Sequence, residues 1–211
     1  MASLVQDVWV GQEPRLRARR LSPYEAPPVR VIFHPDLDQT LDDPLVAGFL
    51  ETLGGRVEVV AVEPRGQGGS GGRFGPEALD DLRALVAAAP RRWPDGLPLV
   101  LAGHGVGAAL ALAAGDTGVK GVVFLGPATR PPVPAFLETL GLADRVIELR
   151  VPLLVVDPRD GGGTPAGDMM AALTGQPRAT LLLVPGDRRG ALRSPWPEVV
   201  ATWAAFVATA G

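Results

Sequence analysis

The sequence predicts an α/β domain in which a mostly parallel central sheet carries helices on both faces. The main observation is that short apolar runs alternate along the chain with segments whose apolar spacing is helical. A second is the stretch LVLAGHGVGAALAL at 99–112, where an apolar run passes through a glycine-rich turn straight into an alanine-rich helical segment. The length of 211 residues suits a single domain with a substantial core. No repeat or long linker divides it, so residues 1–211 read as one unit.

Each element has its own local signal. Val5 to Val10 and Arg15 to Leu21 form a candidate antiparallel hairpin at the sheet edge. Val29 to Phe33 reads as a strand, followed by a helix from Pro44 to Leu53 that Asp42 or Asp43 caps. Val57 to Val62 is the next strand. A helix from Pro76 to Ala89 opens on proline and spaces Leu79, Leu82 and Val86 along one face. Leu97 to Ala102 leads into the glycine turn and a helix from about Val106 to Ala114. Val119 to Leu125, Val151 to Val156 and Thr180 to Val184 supply further strands. The last helix, Pro195 to Ala208, is expected to turn Val199, Trp203 and Phe206 to one face. The segment Gly126 to Arg150 holds four prolines and is the only insertion able to cover a site, so any lid is minimal.

Composition excludes several function classes. A net charge of −3 lacks the basic face that nucleic-acid binding needs, so no nucleic-acid partner is expected. With no cysteine, disulfides and thiolate metal sites are excluded. The first residues lack the order of a secretory signal, and no apolar run reaches the ~18 residues of a membrane helix. The expectation is a cytoplasmic protein with no membrane partner. Asp36, Asp38, Asp42, Asp43, Asp157, Asp160 and Asp187 all fall in expected loops, where turns and caps select aspartate for local hydrogen bonds. Their spacing matches no dedicated metal loop, and neither a metal nor another cofactor is expected.

The turn at 103–107 has the form of a nucleophile elbow, G-x-S-x-G, with Gly105 where the serine belongs. Two more motifs accompany it: FHPDLDQTLDDPLV at 33–46 after an early strand, and RGQGGSGGRF at 65–74 after the next. Together the three resemble the α/β-hydrolase superfamily over roughly residues 28 to 208. The likeness is greatest to its small, nearly lidless bacterial members of dienelactone-hydrolase-like type. The second loop matches their R-G-x-G-x-S-x-G-R-F pattern throughout.

The resemblance implies positions for a Ser-His-Asp triad and an oxyanion hole. The elbow serine position is Gly105, and the amide of Val106 stands on the oxyanion side. The histidine position, in VPGDRRGAL, is Arg189, which stays protonated and accepts no proton. The acid position falls on Asp160 or Asp157 and is vestigial. His34 lies on the oxyanion side and is read either as loop architecture or as a ligand contact. Ser70 is read as a hydrogen-bonding loop residue. Arg189 is expected to pair with Asp160 or Asp187. The expected function is therefore a hydrolase-fold protein without hydrolysis, binding a small molecule in the old pocket or a protein partner. The alternative is an esterase-like hydrolase using a water activated by Asp160 or His34.

Overall fold

The strands at the centre of the sheet are buried on both faces, which is why they read as continuous apolar runs rather than alternating ones. In the computed structural model, which describes residues 3–115, 117–126, 134–158 and 171–210, β3 (Arg30–His34), β4 (Glu58–Val62), β5 (Leu99–His104) and β6 (Gly121–Leu125) are buried at every position. β1 (Ser3–Val10) and β2 (Leu16–Pro23) precede them, and β7 (Leu153–Pro158) and β8 (Ala179–Val184) follow. Among the described residues the sheet has eight strands, in the order β1-β2-β4-β3-β5-β6-β7-β8. β1 pairs antiparallel with β2, and β2 antiparallel with β4; the remaining pairs are parallel. The edge hairpin is thus present, with Val5 opposite Leu21.

Helices cover both faces. α2 (Glu77–Arg92), α3 (Val106–Ala114) and α5 (Leu142–Glu148) pack on one side, and α1 (Pro44–Gly54) and α6 (Trp196–Thr209) on the other. The short α4 (Ala135–Glu138) and α5 occupy the segment read as a minimal lid insertion, of which 127–133 lie outside the described residues. Gln176 ties α5 down, its amide donating to the carbonyls of Val146 at 2.8 Å and Leu149 at 2.9 Å.

The face of α6 that carries Val199, Trp203 and Phe206 is not its buried one. The helix buries Pro197, Val200, Ala201, Ala204 and Val207, while Phe206 is 67% exposed and Val199 and Trp203 are only partly covered. The small Ala201 and Ala204 bring the helix axis close to the sheet. The Trp203 ring then lies beside Gly121, where an added Cβ would come 2.9 Å from its edge.

At the amino end of the parallel strands, Arg30 is buried and bonds to Glu58 and Asp95, with its guanidinium 4.7 Å from the Trp93 ring centre. Burial works to raise the Glu58 pKa, but hydrogen bonds from Arg20 and Arg30 prevail and hold it below the usual carboxylate value. This cluster closes the sheet end opposite the elbow. Among the described residues no helix is long and apolar enough to cross a membrane.

Candidate functional site

In open parallel sheets the loops at the carboxyl ends of the strands form the site. Here those loops are 35–43 after β3, 63–76 after β4, the elbow after β5, and the segment after β8. Gly105 stands between β5 and α3 with φ 56° and ψ −118°, a conformation that strains any L side chain. Its flanking glycines are set by contact rather than by dihedral. A Cβ on Gly103 would lie 2.2 Å from the Gly107 backbone, and one on Gly107 would lie 2.3 Å from the His34 carbonyl oxygen.

The volume above Gly105 is filled by the carboxylate of Asp36, which is 2% exposed. A Cβ at Gly105 would fall 2.1 Å from Asp36 Cγ. Asp36 Oδ1 accepts from two backbone amides, Val106 N–H at 2.9 Å and Leu37 N–H at 2.9 Å. One amide opens α3, where the helix dipole favours negative charge; the other belongs to the loop after β3. Two donors from separate segments converging on one oxygen is the arrangement of an oxyanion hole, and here a side chain of the same chain fills it.

Gln39 holds this loop in place. Its Oε1 accepts from the Asp36 amide at 3.3 Å and lies 2.8 Å from His104 Nδ1. The Asp36 N–H identifies that atom as oxygen, so His104 carries its proton on Nδ1. Both Gln39 and His104 are buried.

A second buried carboxylate joins the two loops. Glu63, 0% exposed, accepts from Leu41 N–H at 2.9 Å and Gly69 N–H at 2.7 Å. Ser70 completes the clasp: its hydroxyl accepts from Arg17 N–H at 2.8 Å and donates to the Glu63 carbonyl at 2.7 Å. Outside, Asp42 receives both Arg17, at 2.6 and 3.0 Å, and Arg19, at 2.8 Å. The hydrogen bond from Arg17 is the largest of the effects that hold the Asp42 carboxyl well below its ordinary range. Asp42 is thereby engaged with the hairpin, and Asp43 alone caps α1, accepting from Leu45 N–H at 2.9 Å.

Arg189 lies in a 3₁₀ turn, Arg188–Leu192, after β8. Its Nη2 donates to Asp38 Oδ2 at 3.1 Å, and that hydrogen bond is the main cause of its raised pKa. The expected partner Asp187 instead caps the turn, accepting from Gly190 N–H at 3.1 Å. Arg189 reaches Asp38 because the 3₁₀ turn folds back over β7, β6 and α1 toward the loop after β3. Asp160, the other expected partner and the first choice for the acid position, lies outside the described residues. Asp157 is half-buried within β7, opposite Leu183.

His34 ends β3 with its ring buried, 2% exposed. Burial pushes its pKa down to about 4, outweighing the Val62 backbone and the Asp81 charge, which act to raise it. It is neutral at ordinary pH and closed to solvent. Among the described residues, no three histidine or carboxylate side chains gather as metal ligands.

Sequence reasoning named Asp36 only as one of several loop carboxylates and missed Gln39 and Glu63. A local signal existed for Glu63, an acidic residue that directly follows an all-buried strand.

A family model described as serine aminopeptidase S33 (Hydrolase_4) matches residues 49–194. No curated protein sequence matches the chain. Among solved structures, the Pyrococcus furiosus esterase Pf2001 superposes with a TM-score of 0.75 at 16% identity, covering 97% of this chain and 90% of that one. Est1E of Butyrivibrio proteoclasticus, with ferulic acid bound, gives 0.73 at 16% identity over 94% of this chain and 96% of that one. The esterase domain of a Rhodothermus marinus protein gives 0.74 at 20% identity over 96% and 99%. At such identities the structural likeness establishes fold alone. With the parallel sheet, the elbow and the family match taken together, the chain belongs to the serine aminopeptidase S33 family of α/β hydrolases.

Proposed function

We propose that this chain is a hydrolase-fold protein that performs no hydrolysis through its elbow and uses that end of the sheet to bind. The observation that carries the reading is the pairing of Gly105 with Asp36. The elbow tip offers no nucleophile, and a carboxylate occupies both the space of its side chain and the amides that would stabilise an oxyanion. Arg189, at the position the resemblance gives to the histidine, is a permanent cation paired with Asp38. Removing the nucleophile or the base from such a triad lowers kcat by about 10⁶. A hole already filled by an anion takes away part of the catalysis that would survive that loss.

The test uses the purified chain with p-nitrophenyl acetate and a fluorophosphonate probe. The expected result is no labelling and no turnover above buffer. Stoichiometric labelling overturns the reading. Turnover that disappears in Asp160→Ala overturns it in favour of a carboxylate-activated water.

A further inference from the structure

We propose that the groove at the amino ends of β6, β7 and β8, at the opposite end of the sheet from the elbow, binds a small aromatic anion that carries more than one negative charge. The groove has a volume of about 510 Å³, which suits a small molecule. Strand register builds it. Val122 lies opposite Leu153 and Leu153 opposite Ala179, so the segments leading into the three strands run side by side, about 4.8 Å apart. Each of these segments contributes one cation: Lys120, Arg150 and Arg178. Arg178 donates to the Arg150 carbonyl, which holds its guanidinium across the gap between two of them. The last turns of α6 form the other wall, where Trp203 and Val207 pack toward the sheet and the Phe206 ring is left 67% exposed.

Charge identifies the occupant. Arg17, Arg19, Arg20, Arg30, Arg65 and Arg189 each lie within ion-pair distance of a carboxylate. Among the described residues no carboxylate lines this groove, and Lys120, Arg150 and Arg178 have no carboxylate partner. A chain of net charge −3 therefore gathers three uncompensated cations beside an exposed aromatic ring. The two guanidinium groups offer paired donors to a carboxylate or phosphate, and the Phe206 and Trp203 rings offer a surface to a flat apolar body. Single exposed ion pairs contribute little, so the ligand must engage the ring and several charges together. A second copy of the chain docked symmetrically on this patch would bring the same cations together and gain nothing from them.

Lys120 is the only lysine, which gives the groove its own reporter. Reductive methylation with isotope-labelled formaldehyde keeps its charge and adds a single side-chain NMR signal there, with the α-amine as reference. Naphthyl phosphate, titrated at constant ionic strength, is expected to shift the Lys120 signal saturably and leave the reference in place. Inorganic phosphate and naphthalene methanol each supply half of the ligand, and each is expected to bind at least about tenfold more weakly. Arg178→Glu and Phe206→Ser alter exposed side chains, and each should raise the Kd for naphthyl phosphate by about five- to tenfold.

A Lys120 signal indifferent to naphthyl phosphate overturns the proposal. So does an affinity that neither variant changes, or inorganic phosphate binding as tightly as its naphthyl ester. An acidic peptide with an aromatic residue that displaces naphthyl phosphate at about tenfold lower concentration overturns it in favour of a protein partner. The ligand series on the native chain is decisive whether or not either variant folds.

Discussion

Asp36 and Gly105 share one volume: the carboxyl carbon of Asp36 sits 2.1 Å from where a Cβ on Gly105 would be, and its Oδ1 is bound by the amide that follows Gly105. A side chain at position 105 expels the carboxylate, and the carboxylate forbids a side chain.

The first prediction concerns that coupling. Gly105→Ala adds backbone strain at φ 56° and breaks two charge-assisted hydrogen bonds, together worth about 4 to 9 kcal/mol of stability. In an Asp36→Gly background the same change should cost only the strain, about 1 to 3 kcal/mol. Urea denaturation of the four proteins in a double-mutant cycle measures the difference. Strict additivity would mean that the two residues do not compete for space.

Restoring chemistry should require three changes, not two. Gly105→Ser with Arg189→His is expected to give neither fluorophosphonate labelling nor ester turnover, because the serine and the Asp36 carboxylate compete for one volume and the carboxylate, even pushed aside, stays charged beside the serine and the amides. Adding Asp36→Gly should yield labelling by emptying the Val106 and Leu37 amides. Labelling of the two-change protein at the rate of the three-change protein would refute the plug.

Glu63 should prove structural and costly to alter. Its two oxygens accept from Leu41 and Gly69 amides in a fully buried position. Glu63→Gln turns one acceptor into a donor facing an N–H group, which should destabilise the chain by about 2 to 3 kcal/mol. Hydrogen exchange should speed up in both loops it joins, 35–43 and 63–76. An effect confined to one loop would contradict its role as their link.

His34 should make stability depend on acid. Its folded pKa of about 4 lies below the ordinary 6.5, so between those values the unfolded chain binds a proton that the native chain refuses. Stability is therefore complete above pH 6.5 and falls as the pH approaches 4, by a total of about 3 kcal/mol. In His34→Phe this part of the slope should vanish, whatever constant offset the substitution adds. Urea midpoints measured from pH 7.5 to 4.5 give the comparison.

Local sequence determined the architecture and the absence at its centre. Strands buried on both faces must be apolar in their interiors, so β3 to β6 announce themselves as parallel and central, and the two runs that precede them read as an edge hairpin. The glycine at the elbow tip is visible in a five-residue window, because backbone strain at that turn is a local property.

What fills the elbow is not local. Asp36 meets Val106 across 70 positions and Arg189 meets Asp38 across 151. Such contacts depend on the path of loop 35–43, which Glu63 and the hairpin arginines set from other parts of the chain. Seven loop aspartates look alike in sequence, and the choice among cap, surface clasp and buried plug follows from which amides the folded backbone brings within hydrogen-bond reach. The helix face followed the same logic. The apolar pattern at 195–208 permits more than one buried stripe, and only the close approach of Ala201 and Ala204 to the sheet selected it.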